Sequence, residues 1–182
     1  HVRSRRQRQM CIRDSHNSGT DRIAEAVIKI NTDIIVNLQG DEPFISKKAI
    51  GCLIKSFDDK SVKMASLMTK FKSFEELNNP NNVKVIVDNN DNALYFSRSP
   101  IPHASKKLDH YNRHIGIYAF LKQSLIEFSN LKRLNLEIIE NLEGNRVVEH
   151  SKKIRMINTD FHGISIDTVS YTHLRAHETK AN

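Results

Sequence analysis

VNLQGDEPFI, Val36 to Ile45, decides how this chain is read. It completes the apolar run DIIVNLQ, Asp33 to Gln39, which is too short for a good helix. The run reads as a strand buried on both faces, the pattern of a parallel sheet. Beyond it, Gln39, Gly40, Asp41 and Glu42 emerge at a carboxyl end of the sheet, where open α/β folds place their ligands. Gly40 lets the backbone turn or approach a ligand closely. The adjacent carboxylates Asp41 and Glu42 can hold a hard cation such as Mg²⁺, with waters and phosphate oxygens completing its shell. They can equally be a loop in which Asp41 caps the next helix and Glu42 is solvated.

Working outward, helical and extended patterns alternate. Ser18 or Thr20 caps a helix through DRIAEAVIKI, with Ile23, Val27 and Ile30 at helical spacing. Downstream, Ser46 caps a helix from Lys47 to Phe57, MASLMTKF is a strand, and Ser73 caps the short turn FEEL. KVIVD and ALYFS form a hairpin around Asn89-Asn90-Asp91-Asn92, which Pro100 and Pro102 bring to an end. HIGIYAF, His114 to Phe120, is a strand, and Lys122 to Asn130 a helix. Glu137 to His150 is a helical stretch interrupted at Gly144, and KIRMIN is the last strand. This alternation predicts an α/β sheet with helices on both faces.

Other residues carry chemistry beside a plainer reading. Gly19, between the hydroxyls of Ser18 and Thr20, offers helix-start N–H groups to an anion or a base edge, or is only part of a cap. Arg98 in SRSPIP can fork onto a carboxylate, or stay a surface residue. His114 and Tyr118, four apart in an extended run, face the same way and share a pocket, or are satisfied core groups. Cys52 in IGCLI reads as a small buried core residue, and without further core cysteines there is no disulfide or cysteine-based zinc framework. No stretch approaches the roughly 18 apolar residues of a membrane span. These features suit a reducing cytoplasm.

HNSGTDRIAEA, VNLQGDEPFI, NNVKVIVD, ALYFSRSPIP, RHIGIYAF and SIDT occur in this order across residues 16–168. Together they resemble the 3-deoxy-D-manno-octulosonate (Kdo) cytidylyltransferases. QGDEP alone occurs in related nucleotidyltransferases; the ordered set is specific. The resemblance implies a Rossmann-like, GT-A-like mixed sheet and a homodimer. It implies an enzyme that joins CTP to Kdo, yielding CMP-Kdo and pyrophosphate for lipopolysaccharide synthesis, with the anomeric hydroxyl attacking the α-phosphorus. By position, Asp41 and Asp167 are its Mg²⁺-binding catalytic pair. Gln39, Arg98, His114, Tyr118 and Glu143 contact Kdo, the Arg and His suiting its carboxylate, and Ser18, Gly19, Thr20 and Arg22 lie at the nucleotide. Gly144 departs from the family's usual Gln, which leaves room for a related acidic sugar such as 8-amino-Kdo or a sialic acid.

The two ends read differently. RRQRQMCIRDS, Arg5 to Ser15, and VSYTHLRAHET, Val169 to Thr179, resemble translated DNA-sequencing adapters of the transposase type. The expected organisation is adapter-derived residues 1–15 and 169–182 around a partial cytidylyltransferase domain at 16–168. The ends carry +4 and +1 of the formal net charge of +7, leaving +2 for the middle, so a nucleic-acid-binding reading rests on the ends alone. The family's first strand and ARxxSxRLPGKPL-type triphosphate loop have no counterpart before His16. On that basis the chain is expected to be inactive, a non-catalytic remnant that binds nucleotide or sugar being the alternative, with an open sheet edge that favours association.

Overall fold

The computed structural model describes residues 19–38, 45–103 and 107–161. Ser18, Gln39, Asp41, Asp167 and both adapter-like ends lie outside them. Strand β5 (Asn112–Leu121) is the spine of the fold. Along one edge it pairs antiparallel with β2 (Met64–Lys70). Its other edge is shared: β1 (Ile34–Asn37) takes Tyr118 to Leu121, and β3 (Lys84–Val87) takes Asn112 and Arg113. β4 (Ala93–Ser97) lies antiparallel on β3, and β6 (Arg155–Asn158) lies parallel on β2. The sheet is therefore mixed, in the order β4-β3-β5-β2-β6 with β1 beside β5.

The strands alternate between two cores, as a period of two requires. Met64, Met68, Tyr118 and Phe120 face α1 (Gly19–Val27), α4 (Lys122–Ser129) and α6 (Glu143–Glu149). Ala65, Leu67, Ile115, Ile117 and Ala119 face α2 (Lys47–Lys55) and the 3-10 turn after it. Two shorter helices, α3 (Phe74–Asn78) and α5 (Asn135–Glu140), and a second 3-10 turn, Leu108–His110, complete the described elements. Helices thus cover both faces, the α/β arrangement that the strand–helix alternation predicts. The serine caps are where the sequence places them: Ser46 Oγ accepts the Ala49 N–H and Ser73 Oγ the Glu76 N–H, both at 3.1 Å.

Four expectations are corrected. DIIVNLQ is not a parallel strand buried on both faces: β1 spans four residues, pairs antiparallel with β5 and alternates in burial. Apolar content alone does not reveal a neighbour's direction. The first helix stops at Val27 instead of reaching Ile30, leaving Ile28 and Ile30 60% and 51% exposed. The stretch from Glu137 to His150 breaks at Asn141 and not at Gly144. Asn141 takes a left-handed conformation (φ 53°) that ends α5, and Gly144 sits inside α6. Cys52 is half-buried, and the fully buried core position of this run is its neighbour Leu53.

A buried ion cluster joins the helices of the first core. The Arg146 guanidinium, on α6, meets the Glu137 carboxylate of α5 at 2.6 and 2.7 Å. It also lies 3.6 Å from Asp21 of α1 and 4.6 Å from the Phe128 ring centroid of α4. Arg146 and Glu137 are each 2% exposed, so removing Arg146 leaves a buried carboxylate without its two shortest contacts and with only Arg133, at 3.1 Å, to match it. Arg146→Ala is expected to lower unfolding stability by about 3–5 kcal/mol. A urea titration with an unchanged slope and a lower midpoint checks it; an unmoved midpoint would show that the cluster is not holding the helices.

Candidate functional site

β1 and β3 both run antiparallel to β5 and therefore parallel to each other, end to end on one edge. Their ladders leave His114, Ile115, Gly116 and Ile117 between them. On the opposite edge β2 shifts register over the same residues: Ser66 faces Tyr118 while Leu67 faces Ile115. A cavity of about 750 Å³ opens where β1 and β3 part, and Arg22, Arg98, Arg113, His114, Tyr118 and Glu143 are among its walls. A bulge next to an interrupted ladder is a common way for a sheet to re-aim side chains at a ligand.

Two helix starts meet at this cavity. Thr20 Oγ1 donates to Glu143 Oε2 at 2.5 Å and accepts from Asn37 Nδ2 at 3.1 Å. The end of β1, the first turn of α1 and the first turn of α6 are thus tied by one hydroxyl. Thr20 is 1% exposed, so it works as a positioning group for Glu143; Gly19 and Arg22 line the cavity beside it.

Arg98, just after β4, is held in plane by carbonyls: Nε donates to Glu140 at 3.0 Å and Nη1 to Pro80 at 3.1 Å. Glu140 organises this corner. Its carboxylate accepts the Arg98 N–H and the Ser97 hydroxyl at 2.8 Å and the Tyr95 hydroxyl at 3.0 Å. Burial works against the Glu140 charge, but these donors win and hold its carboxyl below the usual range. Lys84 lies underneath, fully buried, donating to the carbonyls of Asn79 at 2.9 Å and Arg98 at 2.7 Å. Burial, then the nearby Arg98 charge, brings its pKa down to about 8. Neither Glu140 nor Lys84 stands out in the sequence; an acidic residue ending a helix and a lysine opening an apolar strand are ordinary.

His114 and Tyr118 do share a face, as their spacing predicts, with ring centroids 5.3 Å apart. Phe96 packs edge-on against His114 at 4.8 Å. Burial depresses the His114 pKa to about 3, so it is neutral at any working pH and brings no positive charge to a carboxylate. Burial first, then the nearby Glu143 charge, raises the Tyr118 hydroxyl well above its usual range, against an opposing hydrogen bond from the Gly144 N–H. Residue 144 also packs too closely on Phe96 to carry a side chain without displacement. A Cβ on residue 144 would lie 2.8 to 3.1 Å from the buried Phe96 ring.

A family model described as cytidylyltransferase matches residues 1–154. The chain belongs to the cytidylyltransferase family. It is 49% identical over 158 residues to a 3-deoxy-manno-octulosonate cytidylyltransferase of Flavobacterium johnsoniae, a match covering 84% of this chain and 65% of that protein. Its likeness to the protein of the same name from Christiangramia forsetii is 46% over 159 residues, covering 84% and 64%. The chain therefore spans just under two thirds of these relatives. Its fold superposes on a solved CMP:2-keto-3-deoxy-manno-octonic acid synthetase complexed with CTP, with a TM-score of 0.80 and 36% identity. That match covers 92% of this chain and 70% of the other. A 4-diphosphocytidyl-2C-methyl-D-erythritol synthase from Anaerococcus prevotii, 14% identical with a TM-score of 0.56, shares the fold. The α/β, Rossmann-like nucleotidyltransferase fold read from the motifs is the observed one.

Arg98, His114, Tyr118, Glu143, Gly19 and Arg22 all line this one cavity. Among the described residues no group of three or more His, Cys, Asp or Glu side chains gathers as a metal site. Two outcomes follow from the packing. Gly144→Ala is expected to destabilise by about 1–3 kcal/mol through overpacking, with Phe96→Leu in the same background recovering part of the loss in urea titrations. A neutral Gly144→Ala would mean that the ring yields freely. For Lys84, both folded and unfolded chains are protonated below about pH 8, and the penalty of burying its charge is then fully present. Between there and the ordinary 10.5 the unfolded chain binds more protons, so stability rises with pH. A Lys84→Met variant should lack that rise; parallel curves for the two proteins would refute it.

Proposed function

We propose that this chain forms the sugar-binding portion of an enzyme that couples CTP to Kdo, giving CMP-Kdo and pyrophosphate for lipopolysaccharide synthesis. The observation that carries the reading is the convergence of Arg22, Arg98 and Arg113 with neutral His114, Tyr118 and the carboxylate of Glu143 around one cavity. A polyhydroxylated sugar acid needs that mixture: a fixed guanidinium for its carboxylate, and uncharged or acceptor groups for its hydroxyls. The names of the relatives from Flavobacterium johnsoniae and Christiangramia forsetii support the sugar, and the CTP complex of the synthetase supports the nucleotide.

Arg98, braced by the Glu140 and Pro80 carbonyls, meets the sugar carboxylate. Glu143, oriented by Thr20 and Asn37, accepts from a sugar hydroxyl. Gln39 adds an amide to the sugar, and Ser18, Gly19 and Arg22 form the nucleotide side, with Thr20 behind them engaged on Glu143 and Asn37. The anomeric oxygen attacks the α-phosphorus, the bond to the bridging oxygen breaks, pyrophosphate leaves, and the anomeric proton passes to solvent. Most of the acceleration in such a step comes from alignment of the two reactants. Asp41 and Asp167 are the all-oxygen donors for Mg²⁺, a hard cation that neutralises charge on the phosphates when bound. The reading includes a homodimer acting in the cytoplasm.

Isothermal titration of the chain with Kdo, and separately with CTP, tests it. Arg98→Ala is expected to weaken Kdo binding about ten- to a hundredfold, the worth of a charge-assisted pair, with little change for CTP. Equal Kdo affinity in both proteins, or no affinity for Kdo in either, would overturn the assignment.

A further inference from the structure

The bulge that opens the cavity also contains a buried serine in contact with three polar partners. Ser66 Oγ lies 2.8 Å from the Ile117 carbonyl, 3.3 Å from the Ile115 carbonyl and 2.8 Å from His114 Nε2. Ser66 is fully buried, so these partners are not exchanged for water. A hydroxyl has one proton to give, and a carbonyl oxygen has none. If Ser66 gave its proton to His114, its oxygen would face the Ile117 carbonyl oxygen at 2.8 Å with no hydrogen between them. The proton therefore points at Ile117, and the contact with the imidazole is made by a proton that His114 brings.

We propose that Ser66 is a positioning residue that fixes His114 as the Nε2–H tautomer and so presents Nδ1 to the cavity as an unprotonated hydrogen-bond acceptor. The ring is not free to turn over, since Phe96 packs on it at 4.8 Å and Tyr118 at 5.3 Å. With Nε2 engaged, Nδ1 is the remaining polar atom of a ring that lines the cavity. An acceptor repels a carboxylate and receives a hydroxyl. The sugar hydroxyls thus fall to His114 and the carboxylate to the arginines, which divides the two recognition tasks within the proposed sugar site. That assignment of partners rests on the reading of the cavity as a sugar-acid site; the tautomer does not.

The tautomer is read directly in the full chain without ligand, by long-range proton–nitrogen correlation of the histidine rings, with the His114 signals identified by their loss in His114→Gln. The expected pattern is Nδ1 at the high-frequency shift of an unprotonated imidazole nitrogen and Nε2 at the low-frequency shift of a protonated one, constant from pH 5 to 8. A protonated Nδ1 would overturn the proposal without touching the functional reading, because no sugar or nucleotide is present. In Ser66→Ala the two shifts should move towards each other as the tautomers mix. Unchanged shifts in that variant would show that the surrounding rings, and not Ser66, set the proton.

Discussion

Everything at the functional end of this protein depends on a register shift in one strand. β5 cannot keep one continuous ladder, because β1 and β3 compete for a single edge and meet it from opposite ends. On its other edge the pairing with β2 steps from Tyr118 to Ile115 between Ser66 and Leu67, leaving two residues over. An excess of two preserves the alternation of faces, whereas an excess of one would turn part of the strand inside out. His114 and Tyr118 consequently stay on the same face of the sheet. The Ile117 carbonyl there receives the Ser66 hydroxyl at 2.8 Å, with the Ile115 carbonyl 3.3 Å from the same oxygen.

The charges beneath the cavity follow from the same need. A ligand-binding wall made of loop and helix ends has backbone groups that no sheet or helix satisfies. Lys84 covers two such carbonyls, and Glu140 gathers three donors from the end of β4 and the residue after it. Arg146 binds α6, α5 and α1 through Glu137 and Asp21. Groups like these cost desolvation, and apolar replacements could pack as well. Their contribution is geometric: they fix where the α5–α6 corner stands and hence where Arg98 and Glu143 stand.

Much of the fold was legible in the residues. The caps at Ser46 and Ser73, the hairpin of KVIVD and ALYFS, and the apolar run around His114 depend on local chemistry, which short sequence windows carry. Their outcomes match because capping hydroxyls and turn residues act over three or four positions. The errors lie where a neighbour decides. The direction of β1 depends on β5, some eighty residues away, and the break before α6 falls at Asn141 because an asparagine tolerates the left-handed conformation there. The candidate site was proposed as a set of residues through the ordered motifs, but its arrangement was not legible. Thr20 stands in a motif read as nucleotide-facing, and in the structure its hydroxyl is spent on Glu143 and Asn37.

The sequence by itself determined the alternation of strands and helices, the membership in a cytidylyltransferase family, and the residue types available for a sugar acid and a nucleotide. These are properties of local pattern and of ordered motifs. Only the tertiary structure decided that His114 is neutral, that Gly144 is required by the Phe96 ring, and that Lys84 and Glu140 support Arg98. Each of those depends on burial and on partners distant in the chain, and burial is the quantity that turns a side chain's ordinary chemistry into the chemistry of a site.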